Sequence, residues 1–384
     1  MRPGNVAEYR EMARRKLPAP FFHYIDGGAD EERSLRRNSD AFAPIRFSPR
    51  TLTDVSKVDL STTLAGRDIA MPLMLSPTGM SRLFHHEKEL AVAAAAAEAG
   101  IFYGLSTMAT TSLEEIAAAT STPKLFQIYI FRDRGLSQEF VQRCKAARYD
   151  ALCLTVDTPV AGNRERDRRT GMTMPPRFGP GSLLSFASRP GWTWNFLKSP
   201  DFRLANVAHR VDALAGGAMG IIQYVNSQFD PSATWDDAAW LAREWAGKFI
   251  VKGIQSVEDA LRARDIGATG IMISNHGGRQ LDDVPAPIEL LRPIRDAVGS
   301  EMELIVDGGV RRGSDVVKAL CLGANACSIG RPYLYGLAAA GRRGVSSVVS
   351  ILRAEIERTM TLLGRPTVAA LDRSAISDIA LGDH

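Results

Sequence analysis

ELIVDGGVRRGSDVVKALCLGANACSIG, residues 303–330, reads as one strand–helix–strand unit. ELIV is an apolar run that ends in Asp307 and a glycine pair, DVVKALCL has helical spacing, and ACSIG is a second apolar run closed by Gly330. Apolar character that is continuous rather than alternating marks a strand covered on both faces, as in a parallel sheet. Working back toward the N-terminus, the same rhythm recurs at MPLMLS (71–76), IFYGLS (101–106), LFQIYI (125–130), ALCLTV (151–156), FIVKG (249–253) and GIMISN (270–275). Helical segments lie between the runs. Ser112 with Glu115 and Ser256 with Asp259 resemble capping boxes at two helix starts. Eight strands alternating with helices predict an α/β fold with one closed (β/α)8 TIM barrel, rather than an open doubly wound sheet. No solenoid-type repeat is present.

Outside that rhythm, residues 5–34 predict short N-terminal helices, broken by Pro18 and Pro20 and stopped by Gly27-Gly28. The rhythm fails between residues 160 and 232, where GPGS, RPGWTWNF and further prolines and glycines show no period. An irregular stretch of that length inside one barrel domain (1–384) predicts a lid inserted after strand four. Trp192, Trp194, Phe196 and Leu197, with Arg189 and Lys198, offer a second reading of it as an interfacial patch.

The composition excludes several classes. Among 384 residues, 45% are hydrophobic and 23% charged, ordinary for a large globular core. A net charge of +4 spread along the chain gives no nucleic-acid footprint. Cys144, Cys153, Cys321 and Cys327 form no CxxC pair and have no histidine at metal spacing, so they predict buried thiols in a reducing compartment and no metal site. The N-terminus has no signal-peptide pattern, and no apolar stretch reaches transmembrane length. The expectation is a cytoplasmic protein, at most peripheral on the inner face of the membrane.

Barrel enzymes carry their chemistry at the C-terminal ends of the strands. Those ends deliver Pro77-Thr78-Gly79, Ser106, Gln127 with Tyr129, Thr155 with Asp157, Lys252, Ser274 with His276 and Arg279, Asp307-Gly308-Gly309, and Gly330-Arg331. A histidine just past a buried strand suits a base near neutral pH. An arginine three residues on offers a fork for a carboxylate. The glycine- and arginine-rich turns after strands seven and eight stand where barrels bind phosphate through backbone N–H groups. Lys252, inside an apolar strand, needs a partner. It reads as a Schiff-base nucleophile, as a cation facing an electron-rich cofactor, or as one half of an internal salt bridge.

KLP (16–18), HYIDGGADEE (23–32), SPTGM (76–80), LFQIYI, LTVDTP…NRERD (154–167), VKG (251–253), SNHGGRQLD (274–282), DGGVRRGSDVVKAL (307–320) and IGRP (329–332) run in this order across the chain. In these motifs the chain resembles the FMN-dependent 2-hydroxy acid dehydrogenase and oxidase family. LRRN, GWTWNF, LANV and FDPSATWDDAAW look closest to the branch of bacterial respiratory L-lactate dehydrogenase. The resemblance implies FMN, a small L-2-hydroxy acid oxidised to the 2-oxo acid, and a quinone or other electron acceptor. It also implies a homotetramer and leaves peripheral membrane contact open.

It further implies that His276 is the base, Asp157 its partner, and Tyr129 a contact to the substrate hydroxyl. Tyr24 and Arg279 would grip the carboxylate, with Arg164 in support. Pro77, Thr78, Gly79, Ser106, Gln127, Thr155 and Ser274 would line the flavin ring and ribityl chain, with Lys252 beside its N1 and O2. Asp307, Gly309, Arg311, Gly330 and Arg331 would hold ribityl and phosphate. Gly79 and Met108 stand where glycolate oxidase has alanine and tryptophan, which predicts an enlarged or reshaped pocket. HHEKE (85–89) departs from the family's HPEGE, and His85 and His86 are expected to be loop residues. Alternatives are an oxidase releasing H2O2, an FMN enzyme acting on a modified peptide, a Lys252 lyase, and a non-catalytic barrel.

Overall fold

The eight apolar runs close on themselves. In the computed structural model they form β1 (Leu73–Thr78), β2 (Phe102–Ser106), β3 (Lys124–Ile128), β4 (Ala151–Thr155), β5 (Lys248–Ile254), β6 (Gly270–Ser274), β7 (Glu303–Asp307) and β8 (Ala326–Ile329). Each strand pairs in parallel with the next, and β8 pairs with β1 to complete a barrel. The structure describes residues 3–173, 176–198, 202–211 and 227–377; the remaining parts of the predicted insertion lie outside these.

Two layers of core explain the continuous apolar runs. Alternate side chains, among them Met74, Phe102, Leu125, Ile250, Met272 and Ile305, fill the barrel, while the others pack outward against the helices. The bottom is sealed by a short hairpin, Thr62–Leu64 with Arg67–Ile69, which adds Leu64 and Ile69 to the interior cluster. The hairpin is fixed by the Ala65 N–H, which donates to both Glu303 carboxylate oxygens at 2.9 and 3.0 Å. The barrel therefore opens only at its C-terminal end, which places the site.

The capping readings are half right. Ser112 and Glu115 form a reciprocal box, whereas Ser256 accepts from the Asp259 N–H without the return bond. Three N-terminal helices, α1 (Val6–Lys16), α2 (Ala19–Asp26) and α3 (Arg33–Asp40), extend the predicted region. Asp26 ties α1 to α2 and both to the barrel, accepting from Arg10 at 2.5 and 2.7 Å, from the Tyr335 hydroxyl at 2.8 Å and from Arg166 at 3.1 Å. In α3, Asn38 exchanges side-chain amide hydrogen bonds of 2.8 and 2.7 Å with Asn275, locking the helix onto the turn after β6.

The aperiodic stretch is more ordered than its composition suggests. It contains helices Glu165–Thr170, Pro180–Ala187 and Pro190–Lys198. Pro180 and Pro190 each open a helix, where a missing N–H costs nothing. The aromatic patch divides. Trp192 packs on Phe21 at 4.9 Å and stacks on Phe196 at 5.0 Å, while Trp194 and Leu197 face outward. All four cysteines are buried free thiols. No helix among the described residues is long and apolar enough to cross a membrane.

Candidate active site

The rim carries one buried ion pair at its floor and one histidine–carboxylate pair at its edge. At the floor, Lys252, only 5% exposed, donates to Asp307 at 2.6 Å and to the Ser274 hydroxyl at 2.8 Å. Asp307 also accepts from Ser76 at 2.6 Å and from Ser274 at 2.8 Å. Burial by itself would lower the lysine pKa, but the charges of Asp307 and Asp157 outweigh it and leave it raised. Burial works against the Asp307 charge too, and Lys252 overcomes it to hold the carboxyl below its usual range. Both groups are ionised, which favours the salt-bridge reading of Lys252 over a neutral amine nucleophile.

At the edge, His276 Nδ1 lies 2.9 Å from Asp157 Oδ1. Asp157 Oδ2 is buried without a partner among the described residues. The carboxylate reaches this position because β5 swerves after Lys252. Gly253 adopts φ 102°, and a Cβ there would lie 2.7 Å from the Asp157 Cβ. His276 itself sits at φ 57°, followed by Gly277 and Gly278 at 68° and 71°. A histidine held in the left-handed region marks a constrained, functional turn. Its backbone N–H is anchored by the Ser274 hydroxyl at 3.0 Å. Gln280 ties the same turn to the insertion, donating to the Asp157 and Val160 carbonyls at 3.0 and 2.8 Å.

The carboxylate-binding candidates converge as expected. Arg279 donates to the Tyr24 carbonyl and to the Gly27 carbonyl at 3.1 Å, and its guanidinium lies 4.8 Å over the Tyr24 ring. Arg164 lies 5.7 Å over the same ring. Tyr129 packs edge-on against Phe229 at 4.9 Å. Burial, with the nearby Asp157 charge, raises the Tyr129 pKa, so it carries its proton. Gly79 and Met108 both line the cavity and touch each other. A Cβ on Gly79 would fall 2.7 Å from the Met108 Cβ, so the space is already Met108's, and Met108 sets the wall.

The cavity has the donors that a flavin needs. Gln127, Thr155, Lys252, Pro77, Thr78 and Ser106 all line it. Gln127 Oε1 accepts from Ser106 at 3.0 Å, which leaves its Nε2 buried and unpartnered, and Thr155 Oγ1 is likewise unpartnered among the described residues. Unmatched buried polar atoms facing a cavity are costly unless a ligand meets them. Polar wall atoms beside a buried cation fit the amide edge of a flavin ring.

At the end assigned to the phosphate, part of the backbone is already engaged. The backbone N–H groups of Arg311 and Arg312 donate to Asp315 at 2.9 Å, and that of Gly313 donates to Glu355 at 2.7 Å. Those amides are therefore not offered to an anion, because Asp315 and Glu355 already satisfy the helix start. Arg331 donates to the carbonyls of Ile25, Gly27 and Gly277 at 2.8–2.9 Å, stapling α2 to the barrel. Burial lowers its pKa to about 10. Gly309 is glycine because a Cβ would meet the Asn38 carbonyl at 1.8 Å. Gly330 and the Arg311 side chain line the cavity at this end.

Sequence reasoning missed Ser76, Ser328, Gly253, Tyr333 and Gln280. Ser76 and Ser328 hydrogen-bond each other beneath Asp307, and the Tyr333 hydroxyl holds the Ser76 carbonyl at 2.8 Å. The available signal was positional, since both serines lie at strand ends beside glycine-containing turns.

Comparison with known proteins shows the family. The family described as FMN-dependent dehydrogenase matches residues 13–378. The L-lactate dehydrogenase of Caulobacter vibrioides is 41% identical over 376 residues, covering 98% of each chain. The L-lactate oxidase of Nostoc sp. is 42% identical over 376 residues, covering 97% of each. Among solved structures, the monotopic membrane protein (S)-mandelate dehydrogenase superposes with a TM-score of 0.94 at 36% identity, covering 98% of this chain and 100% of that one.

Proposed function

The chain belongs to the FMN-dependent dehydrogenase family, whose members oxidise L-2-hydroxy acids, and from that premise we propose how its rim divides the work. When bound, FMN supplies the two-electron acceptor that no side chain provides. His276, with Nδ1 toward Asp157, presents Nε2 to the substrate and takes its proton. Asp157 fixes the ring and stabilises the imidazolium that results. Arg279 and Tyr24 hold the carboxylate, Arg164 supports them, and Tyr129 meets the hydroxyl. Lys252 would place a cation at the electron-rich edge of the bound cofactor, and Gly330, Arg311 and Arg331 would hold its phosphate. The observation that carries this reading is the His276–Asp157 pair standing over the Lys252–Asp307 floor in one cavity.

The substrate is an L-2-hydroxy acid of lactate size or larger, because Met108, Val160, Ala161 and Phe229 give the cavity an apolar side wall. Anaerobic absorbance spectra with added L-lactate and then L-mandelate test this. Bleaching of the flavin bands by one of them is expected. A flavin that neither acid bleaches would remove both from the substrate class.

The electrons go on to a quinone or similar carrier, with the protein resting on a membrane surface. Support comes from Leu183, Leu184, Trp194 and Leu197, which expose 59%, 72%, 61% and 65% of their surface on one helical hairpin. Such a cluster suits the boundary of a bilayer. The holoenzyme is expected to sediment with phospholipid vesicles, and Trp194→Ser with Leu197→Ser to release it. Full sedimentation of that variant would discard the hairpin as the contact. Likeness to a lactate oxidase favours a second reading, in which oxygen is the acceptor. Hydrogen peroxide formed at the rate of substrate loss would establish it.

A further inference from the structure

A second pocket adjoins the first. Phe84 belongs to both walls, and its ring lies 6.3 Å from that of Tyr24 at only 23° between planes. One aromatic side chain thus separates the substrate cavity from its neighbour. The second pocket is flanked by Trp192, whose Nε1 donates to the Leu83 carbonyl at 2.8 Å. Arg15, Lys16, Arg82, Arg189, His85 and His86 also line it, and among the described residues no carboxylate does.

His85, His86 and Glu87 bring ligand atoms within 4.8 Å of one another, which suggests a metal site. The surroundings oppose one. Lys16 and Arg82 act on His85 as positive charges, and Glu87 already accepts the Arg342 N–H at 2.6 Å. A cation entering here would meet like charge.

A planar, electron-accepting ligand fits better. It needs flat aromatic walls, donors for two carbonyl oxygens, positive charge to meet the negative charge that reduction brings, and an exit for an apolar tail. Phe84 and Trp192 supply the walls, the histidines and arginines the donors and charge. The pocket wall at Ser188–Trp192 is the turn and second-helix start of the same hairpin that exposes Trp194 and Leu197. Burial drives the His85 pKa down to about 4, so the ring is neutral and both donates and accepts hydrogen bonds.

We infer that this second pocket binds the headgroup of the quinone acceptor, beside the substrate cavity and behind Phe84. The inference rests on the dehydrogenase reading above. The chemistry balances. Oxidation of the hydroxy acid removes two electrons and two protons, from its O–H and Cα–H bonds. The quinone takes up two electrons and two protons, and its two C=O groups become C–OH.

Gly191 provides a blocking variant. It lines the pocket, stands in the first turn of a helix, and a Cβ there meets nothing within 4 Å, so Gly191→Phe starts its side chain in open space at the pocket wall. The test uses the holoenzyme and decyl-benzoquinone, with binding of the oxidised quinone measured by equilibrium dialysis and turnover followed separately. The wild type is expected to bind quinone even when the substrate cavity is filled by the 2-oxo acid. Gly191→Phe is expected to weaken that binding and to lower kcat/KM for quinone by about tenfold or more. The rate of anaerobic flavin reduction by the hydroxy acid, and turnover with ferricyanide, should stay unchanged. Equal quinone binding and turnover in wild type and Gly191→Phe would overturn the pocket assignment. Displacement of quinone by the 2-oxo acid would move it to the substrate cavity. A wild type that neither binds nor reduces quinone would instead sink the dehydrogenase reading on which the assignment rests.

Discussion

Replacing His276 by alanine is expected to slow flavin reduction by substrate by about 100- to 10 000-fold, the range of a lost general base, while FMN stays bound. The geometry separates the two effects. His276 sits on the turn after β6 and pairs with Asp157, whereas the polar wall proposed to meet the flavin is built from Gln127, Thr155 and Lys252. Alanine has the same Cβ as histidine, so the strained φ of 57° is not made worse. The turn is also held by Ser274 and Gln280, whose hydrogen bonds do not involve the imidazole. Stopped-flow reduction under anaerobic conditions, with the flavin absorbance of the purified protein as the binding control, measures both. Reduction at the wild-type rate would remove His276 from the chemistry.

The second large effect is on stability as well as on rate. Lys252→Met leaves Asp307 ionised at the barrel floor with only the Ser76 and Ser274 hydroxyls to meet it. Breaking a buried pair from one side costs about 3–5 kcal/mol, because the remaining charge is uncompensated. Urea unfolding at one fixed FMN concentration should show that loss as a lower midpoint. Adding Asp307→Asn should recover most of it, since the double variant buries no lone charge. Flavin reduction should fall by roughly 100-fold or more, as when a preorganised charge-stabilising group is removed, and the double variant should not restore it. Recovery of both together would make the pair structural only, with no part in tuning the cofactor.

The two experiments probe sites that differ in how readable they were. The barrel itself was legible because each strand is buried on both faces, so solvent imposes no alternation and the runs stand out from the helices between them. The residues at the strand ends followed from the barrel by geometry, since every C-terminal end opens on one rim. Less was legible where composition misled. Pro180 and Pro190 lie in a stretch that shows no period, yet each opens a helix, because position within the helix decides what proline does.

By itself the sequence determined a parallel (β/α)8 barrel, its eight strands, and a rim bearing His276, Arg279, Asp157, Tyr129 and Lys252. Only the tertiary structure decided which of these groups act as pairs. Lys252 and Asp307 lie on strands two apart in the barrel and 55 residues apart in the chain, and Asp157 meets His276 across 119 residues. Such contacts depend on barrel closure, on the swerve at Gly253 and on the left-handed turn at His276, none of which has a local signal. The same holds for the Arg311–Gly313 amides, which Asp315 and Glu355 already satisfy, and for Gly79, whose space Met108 fills. Local pattern specifies elements because it is written in consecutive residues. Hydrogen-bond partnership and cavity shape are set by distances that only the folded chain creates.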